Sequence, residues 1–275
     1  MRDLRMCGHI SRVGSCVPGK QGISLLTLAI VALPVCAGPA RAGDSTESSG
    51  PTFSVIAGAT SDYVYRGVSL RDEKPTPLLY VAATYGGFYF NGFVIGTELG
   101  DDALGRGLGT IEADATVGMT HTIGQVDFNA GVKYTGYPNG RDLIADSLDE
   151  AERDFVEPFA GATVRITEQA SLGATVYWTP DYYYETGEVV TVEGQAAYVL
   201  PALAGIQSKL TAVLGVAKSD NPDVISPGDG YVYYNVGIEG QLERCMFDLR
   251  YWDTDVSGVD GFDQRFVVSI GFVLQ

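Results

Sequence analysis

The amino-acid sequence predicts an all-β protein, a transmembrane up-and-down antiparallel β-barrel of about twelve strands in an outer membrane. Three observations predict it. Beyond residue 42, about twelve segments of roughly ten residues alternate apolar and polar side chains, the period of a strand with two unlike faces. The links between them run long, short, long, short to the C-terminus, as in barrels with short periplasmic turns and longer outer loops. No segment of this region approaches the roughly eighteen apolar residues of a membrane helix, whereas a barrel carries its hydrophobicity at alternate positions.

The first 42 residues read as a secretory signal peptide. Arg2, Arg5, Arg12 and Lys20 make a basic start, residues 23–35 an apolar stretch too short to span comfortably, and Ala40-Arg41-Ala42 a small-residue cleavage site before Gly43. Without this leader the chain keeps 13 basic and 33 acidic residues, a net charge of −20 that excludes nucleic acid as a partner. Cys245 is then the one cysteine left, so there is no disulfide framework and no cysteine metal cluster. Residues 43–275 read as one barrel domain.

The strands follow in order. Strand 1 (53–67) leads to a polar loop (68–77). Strand 2 (78–85) meets strand 3 (88–99) through Gly86-Gly87, a hairpin link because glycine tolerates positive φ. After loop 100–109, strand 4 sets Ile111, Ala113, Ala115, Val117 and Met119 against Glu112, Asp114 and Thr116, and turns near Gly124 into strand 5. The longest acidic loop (138–154) precedes strand 6 (155–166), where Pro158 is expected at the strand start or at a bulge. Strands 7 (170–179) and 8 (188–199) flank loop 180–187, and the 200–206 link is the loosest of the short set. Strand 9 (209–217) and loop 218–230 lead to strand 10 (231–243), the cleanest alternation, with Val232, Tyr234, Val236 and Ile238 opposite Tyr233, Asn235 and Glu239. Strand 11 follows Glu243-Arg244, and after loop 253–263 strand 12 aligns Phe266, Val268, Ile270, Phe272 and Leu274. Every long link then falls on one side. Tyr63, Tyr65, Tyr80, Tyr85, Phe88, Phe90, Tyr134, Tyr137, Trp178, Tyr182, Tyr234 and Tyr251 lie near strand ends, where an aromatic girdle would sit.

Several stretches resemble the TorF family of porins: Ala59-Thr60-Ser61-Asp62-Tyr63-Val64-Tyr65-Arg66-Gly67-Val68-Ser69, Gly87-Phe88-Tyr89, Phe155-Val156-Glu157-Pro158-Phe159, Thr179-Pro180-Asp181-Tyr182-Tyr183 and Ala197-Tyr198-Val199-Leu200-Pro201. Leu70 stands where members often carry glutamine, and Gln275 follows the last apolar set where a terminal aromatic is more common. The resemblance implies an outer-membrane barrel and a pore; it brings no substrate and no functional residues.

By parity, the pore-lining candidates are Glu112, Asp114, Asp127, Lys133, Glu157, Arg165, Glu193, Glu239, Asp248 and Arg250, seven acids against three bases. In a watery lumen an acidic excess favours cations. In a narrow barrel the same residues can instead pair into a polar plug, since twelve strands lie between side-chain-filled small barrels and open sixteen-stranded porins. His121, the one histidine beyond the leader, falls on the lipid-facing parity beside a predicted turn, so no enzyme and no catalytic residues are expected. Asp253-Thr254-Asp255-Val256-Ser257-Gly258 resembles half a calcium loop, but the twelfth position is Gln264, so a solvated acidic loop is the expected reading and no cofactor or metal is assigned. The expectation is a narrow, mildly cation-preferring diffusion pore that meets outer-membrane lipid and small solutes or ions. The other class is a plugged barrel whose acidic outer loops bind a surface partner or divalent cations.

Overall fold

The computed structural model describes residues 50–99, 109–138, 143–144, 150–151 and 153–274. The expected leader, most of loop 100–109, and Asp142, Asp146, Asp149 and Glu152 of the acidic loop lie outside them.

Twelve strands close on themselves. They are β1 (Thr52–Thr60), β2 (Thr76–Tyr85), β3 (Phe88–Gly96), β4 (Ile111–Ile123), β5 (Val126–Gly136), β6 (Phe155–Arg165), β7 (Ala170–Thr179), β8 (Val189–Val199), β9 (Gln207–Ser219), β10 (Gly230–Leu242), β11 (Cys245–Thr254) and β12 (Arg265–Val273). Each pairs antiparallel with its sequence neighbours, and β12 returns to β1 with Ile56 opposite Val273 and Thr60 opposite Ser269. Closure leaves no sheet edge, the condition for placing a sheet among acyl chains. The link Gly86-Gly87, with φ of 56° and 87°, has the positive pair that matches strand twist in a tight hairpin.

The exterior is apolar all round. Val236 is 51% exposed and Phe266 71%, and the outward positions of every strand repeat the pattern. Among the described residues, the carboxylate, ammonium, guanidinium or imidazole side chains at outward strand positions are His121, Lys218 and Asp253, each within two residues of a strand end. That leaves an unbroken hydrophobic belt, reversed relative to a water-soluble barrel. Aromatics mark its loop-side rim: Trp178 Nε1 donates to Glu188 Oε2 at 2.8 Å, Tyr134 donates to Asp154, and Tyr234 donates to Asp253 Oδ2 at 2.6 Å. A phenol or indole with its ring in lipid and its polar end in water suits that boundary.

Two expectations are corrected. β6 runs through Pro158, opposite Val132 on β5, without a bulge; its ladder to β7 begins one residue later at Phe159, so the missing N–H is lost where no ladder has started. The larger correction concerns strand 1, which ends at Thr60 rather than at residue 67. The chain then turns into the barrel. Val64–Tyr65 pairs with Val68–Ser69 as an inner hairpin, its tip formed by Arg66 and Gly67 with φ of 50° and 87°.

This hairpin is held on several sides. A Cβ on Gly67 would stand 2.6 Å from Thr254 Cγ2 and 2.9 Å from Tyr233 Cβ, so the tip is pressed against β10 and β11 and needs glycine for both space and backbone angle. Val64 packs with Ala217, Tyr231, Tyr233, Trp252, Phe262 and Val267, and Tyr63 and Tyr65 with Leu78 and Ile95. Burying such side chains stabilises by about 1.5–3 kcal/mol each. At its root, Ser69 Oγ donates to Asp62 Oδ1 at 2.9 Å, Ser69 N to Gly261 O at 2.9 Å, and Arg71 Nη1 to Thr97 O at 2.7 Å. Tyr63, Tyr65, Tyr80 and Tyr137, expected in the girdle, lie inside the barrel instead.

Candidate functional site

The barrel interior is built from alternate residues of twelve strands plus the hairpin, and its charges fall into clusters. Nearest the long loops, Tyr63 donates to Glu112, and Lys133 lies 3.8 Å from Asp114 with its ammonium 4.7 Å from the centre of the Tyr65 ring. Beside them, Arg66 Nη2 lies 2.9 Å from both Glu157 oxygens, Thr179 Oγ1 donates to Glu157 Oε2 at 3.0 Å, and Tyr233 Oη donates to Glu193 Oε1 at 2.5 Å. Towards the short turns, Arg250 joins Asp248 at 2.7 Å, Glu239 at 2.9 Å and Asn235 at 2.6 Å, with Lys209 3.3 Å from Glu239. Arg165 and Asp127 pair at 3.0 Å at the turn end.

All ten sequence-derived residues lie at inward strand positions, and the tertiary structure joins eight of them into ion pairs, Glu112 and Glu193 each being held by a tyrosine hydroxyl. Parity could not assign the partners. Lys133 meets Asp114 diagonally across the boundary to β4, while Asp127 meets Arg165 diagonally on β6. Four contributors were missed, one of them Arg265 at the start of β12, which pairs with Asp62 at 3.3 Å. Lys209 stood at the expected start of strand 9, and its parity could have found it. Arg66 and Asp62 were read as the end of strand 1, a reading that hides the inward turn. With Asp62, Arg66, Lys209 and Arg265, the interior set holds eight acids and six bases, closer to balance than the seven to three read from parity.

The hairpin fills the loop-side half of the lumen. A cavity of about 10 Å³, room for about one water, remains beside it, lined by Thr60, Asp62, Val64, Asp248, Arg250, Trp252, Val267 and Ser269. Below, inward Thr116, Thr163, Gln195 and Thr211 are partly exposed, so the interior opens towards the short-turn end. Loop 180–188 also bends inward. Tyr182 packs on Phe155 at 4.9 Å between ring centres, and burial pushes its phenol up to about 12, so it stays neutral.

The acidic loop that resembled half a calcium site is committed elsewhere. Asp253 accepts from Tyr234, from Tyr251 at 3.1 Å and from Thr254 N, while Asp255 Oδ1 accepts from Val232 N at 2.8 Å. These carboxylates tie the loop to β10 rather than converge on a point. His121 stays on the exposed outer face beside the turn.

The same architecture occurs in solved structures. A NanC porin aligns at a TM-score of 0.51 with 11% identity, covering 79% of this chain and 97% of the other. A KdgM porin in complex with disordered oligogalacturonate aligns at 0.50 with 9% identity, covering 82% of this chain and all of the other. Likeness at such identities shows the fold alone. No curated protein matches the chain. A family model matches residues 44–268, nearly the whole barrel, and the chain belongs to that family, Gcw_chp, described as a bacterial protein of unknown function.

Proposed function

We propose that the protein is a porin of a Gram-negative outer membrane, exported by a leader cleaved after residue 42, that passes small hydrophilic or cationic solutes passively through an acidic lumen narrowed by the inner hairpin. The carrying observation is the reversal of faces: an uninterrupted apolar exterior around an interior rich in paired charges. The likeness to NanC and KdgM porins supports it, as does the resemblance of residues 59–69 to TorF porins. Passage of small polar solutes is the corresponding reading for this chain. The ten inward residues then line the path, with the excess of carboxylates giving a mild cation preference.

Planar-bilayer recording tests this. Stepwise conductance with a reversal potential on the cation side is the expected result. Silence from protein whose gel mobility still shifts on boiling overturns it, and returns the barrel to a sealed scaffold whose acidic outer loops bind a surface partner or divalent cations.

A further inference from the structure

Arg66 occupies a cage that most of the barrel wall would present without it. Its guanidinium carbon lies 4.9 Å from the centres of both the Tyr65 and the Tyr177 rings, and the group sits beside Glu157 at 2.9 Å. Thr179 orients that carboxylate from behind, at 3.0 Å. Glu193, across on β8, adds a second negative charge that feels Arg66. The carboxylates are 1% and 3% exposed, so bulk water screens neither from a cation beside it. A carboxylate faced by an aromatic plane selects a flat, weakly hydrated cation over a compact, strongly hydrated one.

The geometry points to Glu157, Tyr177 and Glu193 forming a binding site for guanidinium-bearing small solutes, filled in this state by Arg66 as a tethered ligand. Arg66 sits at a hairpin tip in the left-handed region, at φ 50°, a conformation that costs a non-glycine residue free energy and that release would relieve. Because Arg66 is tethered, a free guanidinium compound takes the site only when the tip is withdrawn. The site itself stands on the geometry of the wall; only the route by which a solute reaches it rests on the porin reading.

Methylguanidinium is the probe, added to detergent-folded full-length protein at constant ionic strength. The Arg66→Ala protein empties the cage. Methylguanidinium at saturating concentration should raise its melting midpoint by about 2–4 °C, should leave the wild type unmoved, and should do nothing for R66A/E157Q. Methylammonium should give a clearly smaller rise. Should R66A fail to fold, its refolding yield replaces the melting midpoint: methylguanidinium should restore yield to R66A and not to R66A/E157Q. Equal effects of the two cations, or no effect on R66A by either readout, overturn the site. In bilayers, methylguanidinium should also block R66A current. Current that it does not block, in protein it does not stabilise, removes the site and leaves the pore; stabilisation without any current keeps the site and removes the pore.

Discussion

Arg265 Nη1 lies 3.3 Å from Asp62 Oδ2, so the strand that closes the barrel also clamps the root of the inner hairpin. The same guanidinium donates from Nη2 to Gly261 O at 2.7 Å and from Nε to Asp263 O at 2.9 Å. One side chain therefore ties together the hairpin, the last outer loop and the mouth of β12. Barrel closure and lumen narrowing share a fastening.

Asp62→Ala breaks that fastening. It removes the acceptor of Ser69 and the nearer carboxylate of Arg265, leaving Glu73 at 3.8 Å, so the loss falls at the low end of the roughly 3–5 kcal/mol of a broken buried pair. The expected outcome is a loosened hairpin in a barrel that still forms. Trypsin digestion of folded protein, read by mass spectrometry, should show cleavage after Arg66, a bond that the wild type protects.

Gly67→Val drives the tip out by contact. The new side chain would meet Thr254 and Tyr233 at positions already closer than van der Waals distance, in a backbone region hostile to branched residues. Single-channel conductance should rise severalfold over wild type. Unchanged conductance would show that the current path avoids the hairpin.

Neutralising Glu112, Asp114 and Glu193 together, as Gln, Asn and Gln in the Gly67→Val background, removes three carboxylates from the loop-side half and leaves Lys133 there. Under a KCl gradient the reversal potential should move towards the chloride value. A reversal potential that stays put would mean that these walls do not face the permeating ions.

Val236→Arg tests the outer face. Val236 lies mid-strand on β10, half exposed to what this reading makes the acyl region, and a cation at the bilayer midplane costs about 2–4 kcal/mol. Urea titration in lipid vesicles should show that destabilisation, and folding in buffer without any amphiphile should not occur.

Much of this was legible in the residues. Strict alternation in β4, β5, β10 and β12 separated the two faces, because a strand has a period of two and a one-residue slip would put Glu239 or Asp248 into lipid. Short links such as Gly86-Gly87 and Glu243-Arg244 marked neighbours, so the closed order followed. The girdle was half legible: Trp178, Tyr234 and Tyr251 lie at the outer rim, but Tyr63, Tyr65 and Tyr137 had the same spacing and point inward.

The residues alone determined an inverted barrel, its strand parity and the ten charged side chains on its inner wall, since each rests on local periodicity and on lipid's intolerance of unpaired polar groups. Only the tertiary structure decided that Asp62 to Ser69 leaves the wall, which carboxylate each cation meets and how much of the lumen remains. Alternation continues through Tyr63, Val64 and Tyr65 whether the chain extends the wall or folds within it. What distinguishes the two is the buried company of Tyr233, Glu157 and Arg265, from 91 to 203 residues away along the chain, which no local pattern encodes.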